Sequence, residues 1–169
     1  MRPSLLPAIA AASCLALSTV HAASRCADES VFNIEALKSE MMVLATACHD
    51  DSQYNAFITR FQPELIANEH QLDAYFKREY GRQGQVQHDS FITNLANAQS
   101  DVGLKQGTDF CPRNATLFQE AMAVNSTELP SFAAGKDLVP ASLETCSGGA
   151  AAPSREPVHR VVRKTVAKK

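Results

Sequence analysis

The sequence predicts an all-α protein, a disulfide-stapled bundle of four to five helices that ends in an irregular C-terminal segment. Over most of residues 31–122, apolar residues recur at gaps of three and four, the spacing of one face of an α-helix. No run of alternating β-branched residues indicates a strand. Four of the five cysteines lie beyond the N-terminal leader, and an even count in an exported chain favours structural disulfides.

Residues 1–22 have the three-part pattern of a cleaved secretory signal peptide. Arg2 supplies a basic start, an apolar stretch runs from Leu5 to Val20, and the small side chain of Ala22 suits a cleavage site. The apolar stretch is too short and too interrupted to serve as a permanent membrane anchor. We therefore expect cleavage after Ala22 and a mature protein in the periplasm or outside the cell.

Charge divides the rest of the chain into a helical domain, 23–146, and a basic tail, 147–169. The domain carries 9 Lys and Arg against 17 Asp and Glu, and the tail carries 6 against 1, so their net charges are −8 and +5. A nucleic-acid-binding domain needs positive charge on a folded face, which argues against nucleic acid as a partner. The tail is expected to be disordered and could hold the protein to an envelope protein or an anionic cell-surface polymer.

The first two helices are predicted from their apolar faces. The first runs from Val31 to Cys48, and Asp50 or Asp51 is placed to cap the second. Within the second helix, the residues at helical spacing are Tyr54, Phe57, Ile58 and Phe61.

Pro63 either kinks the second helix or begins a third. The apolar stripe continues from there to Tyr80, and Gly81 is a suitable stop for a helix. Residues 81–87 are predicted to form a polar turn, because the stretch is dominated by Gly, Gln and Arg.

A further helix is predicted to be capped by Asp89 or Ser90, with Gly103 and Gly107 interrupting it. Thr108 or Asp109 would cap the last helix, whose apolar face is Cys111, Leu117, Phe118, Ala121 and Met122.

The pattern is lost from Asn125 to Cys146. Pro130, Gly135 and Pro140 predict an extended loop over the bundle.

The cysteines beyond the leader are Cys26, Cys48, Cys111 and Cys146. None forms a CxxC pair, so zinc-ribbon and thioredoxin-like sites have no local support. Three disulfide pairings are possible. We favour Cys48–Cys111, which would join a helix end to a helix start, and Cys26–Cys146, which would tie down both ends of the folded region.

Five segments of the helical region carry a family resemblance. They are NIEALKSEMMVLATAC (33–48), YNAFITRFQPEL (54–65), YFKREYGR (75–82), HDSFITNLANAQS (88–100) and QGTDFC (106–111). Together they resemble an uncharacterised family of small exported all-α proteins from alphaproteobacteria. The resemblance covers about residues 26–124, implies bacterial export and a disulfide-linked all-α domain, and transfers no catalytic residue to this chain.

Three clusters contain residue types that bind metals. His49-Asp50-Asp51 and His88-Asp89 are interpreted as capping regions at helix ends. Glu69, His70 and Asp73 place a histidine and a carboxylate on one helical face, but a metal site would need another ligand from elsewhere in the chain. Since HExxH and CxxCH motifs are both absent, no metal and no cofactor is predicted.

No catalytic motif is present: there is neither a GxSxG sequence nor a P-loop. Several carboxylates are predicted on helices, but their spacing does not separate catalytic groups from surface groups. These residues are Glu35, Glu40, Asp73 and Glu79.

Tyr75, Tyr80 and Arg82 stand beside the predicted polar turn and could form a partner surface. The alternative is that both tyrosines pack in the core. The leading hypothesis is a non-enzymatic helical binding or interaction module of the bacterial periplasm or envelope. The alternative is an enzyme with an unrecognised helical active site that acts on cell-wall or polysaccharide substrates.

Overall fold

The computed structural model describes residues 29–143, and this part of the chain is almost entirely helical, with no strand. Four helices have ten or more residues: α1 (Glu29–Cys48), α2 (Asp51–Arg60), α3 (Gln62–Tyr80) and α4 (Gly84–Gln106). Three shorter ones follow: α5 (Phe110–Asn114), α6 (Leu117–Ala123) and α7 (Leu129–Lys136). The predicted all-α bundle is confirmed. The predicted signal peptide, the Cys26–Cys146 pair and the basic tail lie outside the described residues.

Helix α1 lies at the centre of the bundle and contacts α2, α3, α4 and α7. Eleven of its 20 residues are buried, more than a single apolar stripe would cover, because neighbours pack on several of its sides. Among the helices between residues 29 and 143, none has the length and hydropathy needed to cross a membrane.

The core consists of two clusters that meet along α1. In the first cluster, α1 from Ile34 onward packs with α2, the start of α3, α5, α6 and α7 around Met41, Phe57 and Phe118. The N-terminal half of α1 packs with α3 and α4, where the ring of Phe32 lies 4.8 Å from that of Tyr75 in an edge-to-face arrangement. The second cluster thus sets the geometry between α1, α3 and α4.

The Cys48–Cys111 disulfide joins the last residue of α1 to α5 and confirms the predicted pairing. Its two Cα atoms are 5.7 Å apart, and both cysteines border the first core cluster. The bond closes a loop with a sequence separation of 63 residues, which strongly restricts the unfolded chain.

The predicted polar turn over residues 81–87 is wrong, and so is the predicted cap at Asp89 or Ser90. Gly81 ends α3 with φ +55°, one short 3-10 turn follows, and α4 already begins at Gly84. The first turn of α4 contains one large apolar side chain, Val86, which is exposed. Because that turn buries almost no apolar surface, it leaves no periodic signal in the sequence.

Gly84 explains how closely α4 approaches α3. A Cβ atom on Gly84 would lie 2.9 Å from Cα of Lys77 and 3.0 Å from the carbonyl oxygen of Phe76. Only a residue without a side chain permits this backbone contact. It brings the first turns of α4 alongside the last turns of α3.

The two predicted interruptions of α4 differ in the structure. Gly103 stays helical and lies against the ring of Phe110, whereas Gly107 ends the helix with φ +57°. The predicted last helix is divided into α5 and α6 at residues 115–116. Asp50 and Asp109 stand at the N-caps of α2 and α5, but neither side chain makes a capping hydrogen bond.

The predicted extended loop after Asn125 contains a helix, α7. Pro130 lies in the first turn of α7, where proline is tolerated, and Asn125 and Glu128 form a capping box just before it. Leu129 and Ala133 are buried, which docks α7 on α1. The irregular C-terminal segment is therefore shorter than predicted and begins after α7.

Residues 137–143 are not helical, and Leu138, Val139 and Leu143 pack against the second core cluster. The buried amide of Gln99 holds this segment, since its Nε2 donates to the carbonyl oxygens of Ala36 at 2.9 Å and Leu138 at 3.3 Å. One side chain of α4 thus connects α1 with the C-terminal segment.

Candidate functional site

Five charged or ionisable side chains meet where α1, α3 and α4 come together, and we call them the ionic network. Nζ of Lys38 lies 2.7 Å from Oε2 of Glu35 and 3.3 Å from Oε2 of Glu69. The other oxygen of Glu69 is 3.5 Å from Nε2 of His88, and Nδ1 of His88 is 2.7 Å from Oδ1 of Asp73. The chain of contacts crosses all three helices.

Helical spacing explains how each helix contributes. Glu35 and Lys38 are three residues apart on α1, and Glu69 and Asp73 are four apart on α3, so each pair shares a face. His88 lies one turn into α4, four residues after Gly84, where the two backbones touch. The close helix contact therefore delivers the imidazole to the two carboxylates.

The ionic network contains both buried and half-exposed side chains. The side chains of Glu35 and His88 are 3% and 5% exposed, whereas those of Glu69 and Asp73 are 42% and 51% exposed. The imidazole also stacks on the ring of Phe76, with centroids 5.3 Å apart and planes at 17°. Solvent thus reaches the carboxylates of α3 while the histidine is held inside.

Burial and charge act against each other in the pKa values of the network. Burial raises the pKa of Glu35 above its ordinary value, an effect that Lys38 partly offsets. For Lys38, burial is the largest single effect and acts to lower the pKa, but Glu35 and Glu69 together outweigh it and leave the pKa raised. With a neutral His88, three carboxylates against one ammonium leave a formal charge of −2.

His88 is poorly satisfied for a buried polar group. Its Nδ1 lies only 2.7 Å from the Asp73 carboxylate, an ion-pair distance, yet neither ring nitrogen makes a hydrogen bond of acceptable geometry. Buried polar side chains in folded proteins nearly always have such a bond. His88 and Asp73 are therefore in close contact without being aligned for a hydrogen bond.

The structure places the predicted metal-type clusters differently from the sequence analysis. His70 is exposed and stays outside the network, while the carboxylates of Glu69 and Asp73 both lie beside His88. The further ligand that a metal site would need from elsewhere in the chain is His88. This residue lies inside α4 and is not part of a capping region, contrary to the prediction. Together Glu69, Asp73 and His88 offer one ligand atom each, all within 4.8 Å of one another.

The other carboxylates considered from the sequence fall into different settings. Glu40 of α1 is 7% exposed, and no cation of the described residues lies within ion-pair distance of it. Desolvation raises the pKa of Glu40 to about 7. Glu79 pairs with its neighbour Arg78 at 3.1 Å.

The three residues of the predicted partner surface differ in their exposure to solvent. Tyr75 is buried in the second core cluster, where its ring packs edge-to-face against Phe32. Tyr80 is 47% exposed and Arg82 is exposed. The Tyr80 ring stacks on Phe76, with centroids 5.8 Å apart and planes at 24°.

Comparisons of this chain with protein families, with curated proteins and with solved structures find no match. The functional interpretation therefore depends on the geometry of the chain itself.

Proposed function

We propose that this chain is a non-enzymatic helical binding or interaction module of the bacterial periplasm or envelope, and that it contacts its partner through the turn between α3 and α4. The observation that supports this most is the setting of Tyr80. A half-exposed tyrosine at a helix end is held in place by stacking on the buried Phe76.

Such an ordered aromatic side chain suits a binding surface. Tyrosine and arginine are enriched among the residues that contribute most to protein interfaces. A ring already fixed on Phe76 loses little conformational freedom when a partner covers it, so less binding free energy is lost to ordering. Tyr80 therefore provides contact area for a partner on a side chain that is already ordered.

The residues around Tyr80 extend this surface. We define the turn surface as Tyr80, Arg82 and Val86, which are all exposed and lie within seven residues of one another. The turn beneath them is short, because Gly81 adopts φ +55° and α4 starts at Gly84. An aromatic ring, a guanidinium group and an aliphatic side chain on a tight turn form a mixed surface suited to a protein or polymer partner.

The compartment is supported by the disulfide. Cys48–Cys111 lies beside the main core, and structural disulfides form and persist in oxidising environments such as the periplasm. The leader pattern of residues 1–22 is consistent with export to such a place. The basic tail over 147–169 would add a second, salt-sensitive contact to an anionic cell-surface polymer.

Site-specific photo-crosslinking in the producing cells tests the proposal. The crosslinking amino acid p-benzoylphenylalanine replaces Arg82 in one variant and Leu104 in a matched control, because Leu104 is 79% exposed near the other end of α4. We expect one discrete adduct from position 82, none from position 104, and loss of the adduct when Tyr80→Ala is added. Equal adducts from both positions, or none, would contradict the proposal.

The enzyme alternative is favoured by one observation, the buried Glu40. A carboxyl group with a pKa of about 7 could act as a general acid near neutral pH. However, a general acid must reach its substrate, and Glu40 is 7% exposed. Turnover of peptidoglycan or polysaccharide fragments that disappears in Glu40→Gln would replace the binding proposal with the enzymatic one.

A further inference from the structure

We infer that Glu69, Asp73 and His88 form a binding site for one divalent transition-metal cation, with Zn²⁺ as the best-matched probe. The inference goes beyond the proposed function, because it concerns the ionic network and not the turn surface. It follows from the donor atoms, the charge and the burial of the three side chains.

The donor set suits a borderline transition-metal ion. Imidazole nitrogen and carboxylate oxygen are both zinc ligands, whereas Ca²⁺ and Mg²⁺ are bound almost entirely by oxygen. His88 supplies the nitrogen from α4, and Glu69 and Asp73 supply oxygens from one face of α3. Three protein ligands would leave a fourth position for water or another ligand.

The state of His88 provides a second, independent indication. The imidazole is 5% exposed, faces both carboxylates, and has no hydrogen bond of acceptable geometry at either ring nitrogen. A buried nitrogen that lacks a bonding partner loses the solvation it had in water. Coordination of a cation by one ring nitrogen would supply the missing interaction.

Charge favours a dication at this position. The ionic network carries a formal charge of −2 when His88 is neutral, which is the form that coordinates metals. One divalent cation would bring that charge to zero. Lys38 compensates only part of the charge, and its contact with Oε2 of Glu69 leaves the other carboxylate oxygen facing His88.

The ligand atoms need only a small movement to close around a cation. Tetrahedral zinc with bonds of about 2.1 Å places its ligands roughly 3.4 Å apart. Here the three atoms lie within 4.8 Å, and the two carboxylates lie beside opposite ring nitrogens, so one carboxylate must swing by an ångström or two. Glu69 and Asp73 are half-exposed, so a side-chain rotation provides this movement and the cation can enter from solvent.

The competing interpretation is a protonated imidazole held between the two carboxylates as an ion-pair cluster. Both interpretations keep the three residues together, but only a metal site binds a cation with saturation and a stoichiometry of one. Isothermal titration calorimetry therefore separates them. The full exported chain is used with its disulfides intact, after treatment with a chelator, and is titrated with ZnCl₂ alone.

We expect one zinc ion per chain in the wild type. Asp73→Asn and Glu69→Gln should each weaken binding at least about tenfold, because loss of a ligand costs more than loss of an outer-shell partner. Because Glu69 and Asp73 are half-exposed, we expect both variants to keep their fold. Replacement of the buried His88 by Gln is a less suitable test, because it changes a core residue. His70→Gln is the matched control, since it removes an exposed histidine of α3 that lies outside the cluster.

Two results would overturn the inference. One is the absence of saturable zinc binding up to roughly 1 mM. The other is equal binding by the wild type, Asp73→Asn and Glu69→Gln, which would place the zinc elsewhere on the chain. Photo-crosslinking from position 82 is measured on the same variants, so failure of the metal site and failure of the turn surface are distinguishable.

Discussion

Glu40 makes the stability of the bundle depend on pH in a direction that the structure fixes. This carboxyl group is buried on the central helix, and desolvation raises its pKa from 4.5 to about 7. Between these values the folded chain retains a proton that the unfolded chain has lost. The folded state is therefore stabilised at low pH, and this stability is lost as the pH rises from 4.5 through 7.

The magnitude follows from the two pKa values. Each pH unit between 4.5 and about 7 lowers the free energy of unfolding by at most about 1.4 kcal/mol, or about 3 kcal/mol in total. Glu40→Gln keeps the size of the side chain and removes the titration. We expect this variant to be about 3 kcal/mol more stable than the wild type at pH 8 and close to it at pH 4.

Urea unfolding followed by circular dichroism measures the effect at several pH values between 4 and 8. The slope of the free energy against urea concentration should stay the same, so that the shift in midpoint reports stability alone. Asp101→Asn is the matched control, because Asp101 is an exposed carboxylate on α4 and should change little. If the wild type and Glu40→Gln show the same pH dependence, Glu40 is not desolvated in the folded protein.

Four further variants test the packing. Gly84→Ala should destabilise the fold by about 1–3 kcal/mol, because its Cβ would meet the backbone of α3. Gly135→Ala has open space around its Cβ and should stabilise α7 by up to about 1 kcal/mol. Thermal unfolding compares the two variants, and equal effects would refute the close contact between α3 and α4. Replacing both Cys48 and Cys111 by Ser should lower the free energy of unfolding, measured with urea, by about 4 kcal/mol. A decrease of less than about 1 kcal/mol would show that the disulfide constrains the unfolded chain little. Gln99→Ala should lower the free energy of unfolding by about 1–3 kcal/mol and increase amide hydrogen exchange over residues 137–143. Unchanged exchange in this segment would contradict the role of the Gln99 amide.

Sequence periodicity predicted the helices whose regularly spaced apolar side chains pack against the core. Helix α1 and the helices after Asp50 and Pro63 follow the spacing of their buried side chains closely. The start of α4 was missed because Val86, the one large apolar residue of its first turn, is exposed. Helix α7 was missed because Pro130 and Gly135 suggested a loop, although proline is tolerated in a first turn and the helix is held by tertiary packing.

The ionic network shows a different limit of sequence analysis. The pair Glu69 and Asp73 is visible as an i, i+4 spacing on one helix. The approach of His88 is a tertiary contact that depends on the bare backbone of Gly84, and no local pattern signals it. The burial of Glu40 has the same origin, because neighbours on several sides of α1 cover positions outside its apolar stripe.

The intact mass of the protein isolated from its producing cells and their medium tests the central claim most directly, namely the proposal that this disulfide-linked bundle works outside the cytoplasm. The mass is measured without reduction, before and after a thiol-alkylating reagent. We expect a chain that starts at Ala23 and takes up no reagent, because Cys48–Cys111 and the predicted Cys26–Cys146 bond leave no free thiol. A chain that retains residues 1–22, or that takes up reagent at its cysteines, would contradict the account.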